Sequence, residues 1–226
     1  MKKIFLISIV SIVLTGIFAC GESVKKPAPP LNGVPQYEGD SVNFIKRTYK
    51  DGVLVSEEPF VNNRMHGVAK HYYSNGNLRD TIVYKEAKRH GTMASYYDTG
   101  EKHGDVTYLD GKIHGTRHNY KKDGSPTMVC TYEKGKPVPP LEEYDAAGQK
   151  IKQPTIKFST SGGVLKMELS DRTYTSASFY RIVKGELIEI PTDKGVGRLP
   201  GAVKGTQIRA YYKSPRGAEG AVDAKY

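Results

Sequence analysis

The sequence predicts an all-β protein: an elongated single sheet of stacked 24-residue β-hairpin repeats, followed by a small β-sandwich-like domain. Three observations predict it. Tyr72, Tyr96, Tyr120 and Tyr144 stand 24 residues apart, as do Gly76, Gly100, Gly124 and Gly148, and a fixed period of this size marks stacked units that share one core. Within each period, apolar and polar residues alternate between turn-forming glycines, which is the signature of strands with one buried face. Beyond Pro154 the period stops, but short alternating runs bounded by turn residues continue.

The chain opens with an address. Met1-Lys2-Lys3 supplies a positive start and Ile4 to Ile17 an apolar run, shorter than the ~20 residues that span a bilayer as a helix. Ile17-Phe18-Ala19-Cys20 resembles a lipobox, so residues 1–19 read as a lipoprotein signal peptide. That resemblance implies cleavage before Cys20, a diacylglycerol on its sulfur and acylation of the new amino terminus, and more than one chain gives stable anchoring. The expected location is the bacterial cell envelope, attached to the membrane by lipid. Gly21 follows the cysteine where a retention signal would place aspartate, which favours the outer membrane if the source has two membranes. Residues 20–36 then form a tether: Pro27, Pro29, Pro30 and Pro35 stiffen it and little in it can be buried.

Residues 37–156 carry the repeats. Three full units align as 61–84, 85–108 and 109–132, with His-Gly at 66/67, 90/91 and 114/115 and a closing aromatic at Tyr84, Tyr108 and Tyr132. Degenerate units flank them, around Asp51-Gly52 and Phe60 upstream and Tyr144 to Gly148 downstream, as a stacked array requires at its ends. Inside a unit, one strand leads into a glycine turn and a second strand returns. Asn75-Gly76, Asp51-Gly52 and Asp123-Gly124 point to type I′ turns. Leu78, Ile82 and Tyr84, then Val106 and Tyr108, then Met128, Cys130 and Tyr132 fall on one inward face. Lys102-His103-Gly104 and the proline-rich 136–140 break the pattern and are expected to bulge or to break an edge.

A run of 24-residue hairpins with these tyrosines, turn glycines and connecting His-Gly pairs resembles the MORN repeat, especially its bacterial variant. The third unit, Gly111 to Tyr132, is the nearest to the pattern. The resemblance implies an elongated, curved sheet and a binding or scaffolding role. Its members include lipid-kinase regulators, junction scaffolds and antitoxin-like bacterial proteins, so an immunity protein that neutralises a toxin is the alternative reading.

Residues 157–226 form the second expected domain. The runs 155–159, 164–169, 177–183, 186–190, 207–213 and 221–226 are separated by Gly-Gly, Lys-Gly and Ser-Pro-Arg-Gly turns, the rhythm of a small sandwich. That rhythm is similar to fibronectin type III or immunoglobulin-like domains.

The formal charge is +10, and removal of Lys2 and Lys3 with the signal leaves +8. The excess concentrates in the connectors, at Arg64, Lys85, Lys88, Arg89, Lys112, Lys134 and Lys136. Connectors of a stacked sheet emerge along one edge, so these seven form a candidate binding edge. Export directs that edge to an acidic envelope protein, an acidic glycan or anionic lipid, and away from nucleic acid. The oligomeric state is left open. No catalytic constellation is legible. His66, His90 and His114 recur once per two strands, about 9.6 Å apart, too far to share a metal whose ligand nitrogens lie within about 4.2 Å of one another. Cys130 occupies the slot of Ile82 and Val106 and reads as core. Neither metal nor cofactor is expected, and the chain reads as non-enzymatic.

Overall fold

The computed structural model describes residues 33–226; the expected signal peptide, Cys20 and most of the tether lie outside the described residues. Among these residues every regular element is a strand. The repeat region comprises β1 (Gln36–Gly39), β2 (Phe44–Lys50), β3 (Val53–Val61), β4 (Arg64–Met65), β5 (Gly67–Tyr72), β6 (Leu78–Lys85), β7 (Lys88–Arg89), β8 (Gly91–Tyr96), β9 (Lys102–Leu109), β10 (Lys112–Tyr120), β11 (Pro126–Glu133) and β12 (Lys136–Glu143). They form one 12-stranded antiparallel sheet in sequence order, with β4 paired to β3 and β7 to β6 on short side branches.

The turns alternate in kind, and their order corrects the expectation. Gly76 donates its amide to the Tyr73 carbonyl at 2.9 Å, and Gly100 and Gly124 repeat this bond to Tyr97 and Lys121. In these loops only the glycine has positive φ, 86° at Gly76, and the register slips between His71 and Tyr72. That combination is a type I turn closed by a glycine bulge. The type I′ turns lie in the connectors instead, where both central residues have positive φ: Asn62-Asn63 (50° and 59°), Glu86-Ala87 (49° and 63°), Asp110-Gly111 (49° and 85°) and Lys134-Gly135 (50° and 87°). Asp51-Gly52, with 50° and 77°, is the one Asp-Gly of the sequence reading that takes the type I′ form.

Every unit, and not only the second and the last, carries a bulge after its connector. Ile113 pairs with Tyr108 and Arg117 with Val106, leaving two surplus residues in β10 around His114-Gly115. Pro137 pairs with Tyr132 and Leu141 with Cys130, so Pro139-Pro140 fill the same bulge in the last unit. Lys102-His103-Gly104 bulges as expected: Gly104 pairs with Ser95 but Lys102 with Tyr96, which leaves His103 as the surplus residue, in the same place as Arg79 in the preceding hairpin. A bulge that re-aims each strand by the same amount is how a hairpin stack bends as a whole.

The inward face also holds a residue that the alternation passed over. Asp80 pairs with His71 between Leu78 and Ile82 and is buried, its carboxylate 2.5 Å from His71 Nδ1 and accepting from Arg79 Nε at 2.9 Å. A buried carboxylate is tolerated when its lone pairs are met in this way.

The C-terminal region comprises β13 (Ile156–Ser161), β14 (Val164–Leu169), β15 (Thr175–Val183), β16 (Glu186–Ile190), β17 (Thr192–Asp193), β18 (Val196–Pro200), β19 (Gln207–Lys213) and β20 (Glu219–Lys225). They make two four-stranded sheets, β13-β14-β18-β17 and β16-β15-β19-β20. Leu165 and Met167 of the first sheet enter one apolar cluster with Phe179, Ile208 and Ala210 of the second. The layers approach so closely that a Cβ on Gly197 would stand 2.8 Å from Met167 Cγ and 2.9 Å from Phe179 Cδ2. The same cluster takes in Met128, Cys130, Tyr132 and Leu141 from the repeat sheet, so the last hairpin packs its inward face on the sandwich.

Candidate binding edge

The two long edges of the repeat sheet differ in chemistry because they differ in turn type. On the glycine-bulge edge, successive units are stapled together. Tyr73 Oη donates to the Tyr96 carbonyl and Tyr97 Oη to the Tyr120 carbonyl, each at 2.8 Å. In the next unit Lys121 takes that position and donates to the Ala146 carbonyl at 2.8 Å.

The connector edge carries the charge. Arg64, Lys85, Lys88, Arg89, Lys112, Lys134 and Lys136 are all exposed and all lie in or beside the type I′ turns. Arg64 pairs with Glu86 at 3.2 Å. Arg89 lies over the Tyr108 ring, 5.4 Å from its centroid, and hydrogen bonds to Tyr84 and Tyr108 reinforce its charged form against partial burial. Lys136 turns towards the sandwich, 5.5 Å from the Tyr180 centroid and 5.8 Å from that of Tyr211. Lys85, Lys88, Lys112 and Lys134 have no ion pair among the described residues. Lys85 and Lys88 are moreover direct cross-strand partners, an arrangement of like charges that destabilises by up to ~1 kcal/mol.

Acidic residues interrupt the edge at Glu86 and Asp110, and each stands near a repeat histidine. His66 Nδ1 lies 3.6 Å from Glu86 and His90 Nδ1 3.5 Å from Asp110. Lys134 takes the corresponding position for His114. The Nδ1 atoms of all three histidines are buried and make no hydrogen bond. The column therefore sits beneath the edge, with its ring nitrogens directed towards the turn acids in two of three copies. Among the described residues no three His, Cys, Asp or Glu side chains converge as metal ligands.

Cys130 is fully buried between Arg117 and Leu141 in register, and burial pushes its thiol pKa up to about 11. It is core, as its slot in the repeat implies. Cys20 lies outside the described residues.

These features define an all-β hairpin-repeat protein with one stapled edge and one charged edge. Residues 65–86 match the family model described as "MORN repeat variant". The match begins at Met65 and ends in the Glu86-Ala87 turn, so it covers one full hairpin, with the bulge that follows a connector and the glycine bulge of its own turn. No curated protein matches the chain significantly. No helix among the described residues is long and apolar enough to cross a membrane.

Proposed function

We propose that this protein is a non-enzymatic, lipid-anchored binding or scaffolding module of the bacterial cell envelope, which recognises an acidic partner along the connector edge of its repeat sheet. The observation that carries the reading is the register pair Lys85 and Lys88, exposed and without counter-ions, within a row of seven cations. A fold gains nothing by opposing two lysines across a tight turn, whereas exposed charge selects and steers partners. Repeat sheets also supply extended binding area. The lipobox-like Ile17 to Cys20 and the prolines after it support an anchored sheet held off the membrane by a tether. The immunity-protein reading rests on family resemblance alone.

Reversal of Lys85, Lys88 and Arg89 to glutamate tests the edge. The partner would be captured by crosslinking in intact cells, then titrated against purified wild-type and triple-variant protein across a salt series. We expect the variant to fold, because no inward position changes, and to lose the partner. Wild-type binding should weaken as salt rises, since attraction between exposed charges is screened beyond roughly 10 Å at 0.1 M. Equal affinity for both proteins would refute the edge. Cys20→Ser should separately abolish incorporation of labelled palmitate, and a labelled Cys20→Ser protein would refute the anchor.

A further inference from the structure

The inward face of the sheet contains a position where the repeat changes from apolar to charged. Ala69, Met93, Arg117 and Leu141 stand 24 residues apart, and each pairs in register with the core column, Ala69 with Ile82, Met93 with Val106, and both Arg117 and Leu141 with Cys130. Three of the four are apolar, with Ala69 and Leu141 fully buried and Met93 partly so. The third unit places a guanidinium there. Arg117 is half-buried, forms no ion pair among the described residues, and meets only the Asn119 Oδ1 at 3.4 Å and the Tyr132 hydroxyl. A guanidinium has five N–H donors in a planar fork and is suited to a carboxylate, so most of its capacity is unused.

Arg117 opens into a cavity of about 470 Å³ where the repeat sheet meets the β19–β20 hairpin, a volume typical of small-ligand sites. Five charged residues of both signs line it: Arg117, Lys213 and Arg216, with Glu143 and Glu219. No ion pair joins any two of them among the described residues. Glu143 is only 3% exposed and accepts from Ser214 Oγ at 2.9 Å, and Arg216 donates to the Tyr144 carbonyl at 2.7 Å. Lys213, Arg216 and Glu219 are exposed, whereas Glu143 is buried and Arg117 half-buried on the walls of the cavity, so these two offer a carboxylate and a guanidinium, not paired with each other, to a molecule that carries both charges at once.

We infer that this cavity is a binding site for a small zwitterion, a short peptide or amino acid, with its carboxylate on Arg117 and its ammonium on Glu143. The site is separate from the connector edge, and the two readings can fail independently.

Calorimetric titration with alanyl-alanine, its N-acetyl form and its C-terminal amide tests the assignment. The free dipeptide should bind, and each blocked form should bind at least about tenfold more weakly, the loss expected when a buried polar partner is left unmet. Arg117→Met restores the residue of the preceding unit. It should unfold at or above the wild-type temperature, because a packed apolar side chain commonly replaces a buried charge without loss, and it should no longer distinguish the dipeptide from its amide. Glu143→Gln should no longer distinguish it from the N-acetyl form. The Lys85, Lys88 and Arg89 triple reversal should bind the dipeptide normally. The inference is overturned by no saturable binding up to about 10 mM, a range that would still register a weak millimolar ligand. It is equally overturned by blocked forms that bind as well as the free dipeptide, or by a folded Arg117→Met protein that keeps its preference for the free carboxylate.

Discussion

Burial decides what each residue can do in this fold. Cys130 is the sharpest case: it is fully buried and its thiol is shifted to about 11, so the thiolate that reacts with disulfide reagents is both scarce and inaccessible. A thiol reagent at pH 8 should therefore label native protein no faster than the chain opens, and denaturant should raise the rate sharply; prompt labelling of native protein would contradict the buried slot. This slot was legible from sequence because Ile82 and Val106 precede it in the column. Asp80 was not: alternation places it inward between Leu78 and Ile82, but a carboxylate there has no evident partner until His71 is placed opposite. Arg117 escaped for a related reason. Its signal was present in the comparison of Ala69, Met93 and Leu141, but charge on a strand is ordinarily assigned to the solvent face.

At the scale of the hairpin, the period located the strands well, because alternation and glycine spacing are local properties. The turns were harder: Asn-Gly and Asp-Gly favour positive φ, but whether one or both central residues adopt it depends on how many residues the loop holds. The 73–77 and 121–125 loops are long enough to need only the glycine. The connectors are two-residue turns and need both, even where the sequence offers Glu86-Ala87. Strands β17 and β18 were missed because Thr192 to Pro200 is short and glycine-interrupted and acquires its strand character by pairing with β14. The turn geometry yields a paired prediction of opposite sign. Ala87 holds φ of 63° at the position taken by Gly111 and Gly135 in the following units. An L residue pays roughly 1–2 kcal/mol in this region and glycine gives back part of that in chain entropy. Ala87→Gly should thus stabilise by about 0.5–1 kcal/mol, and Gly111→Ala should destabilise by a similar or larger amount. Chemical denaturation of both variants measures the signs, and a destabilised Ala87→Gly protein would show that the connector is not a strained type I′ turn.

For the whole molecule, the decisive feature is that the sheet and the sandwich share one core. Leu141 is 1% exposed; it pairs with Cys130 on β11, and its Cδ2 lies where a Cβ on Gly220 of β20 would come within 2.8 Å. Polar contacts follow the same seam: Tyr212 Oη donates to Gln153 Oε1 at 3.1 Å, and Cys130 Sγ lies 3.6 Å from the Glu219 carbonyl. A residue gripped from both sides transmits its loss to both. Leu141→Ala should cost about 2–5 kcal/mol, the usual range for a buried leucine. Because the cavity it leaves is bounded by β11, β12 and β20 together, the loss should lower a single cooperative transition. Calorimetry together with tyrosine absorbance would follow the repeat region and the sandwich in one melt, since both contain tyrosines. Splitting of the Leu141→Ala transition into an unshifted repeat phase and a shifted sandwich phase would show that the two halves fold independently. Coincident shifts would show that the seam binds them into one unit. In that case the angle between the charged connector edge and the sandwich is fixed by packing, with Lys136 held against the Tyr180 and Tyr211 rings where the two meet.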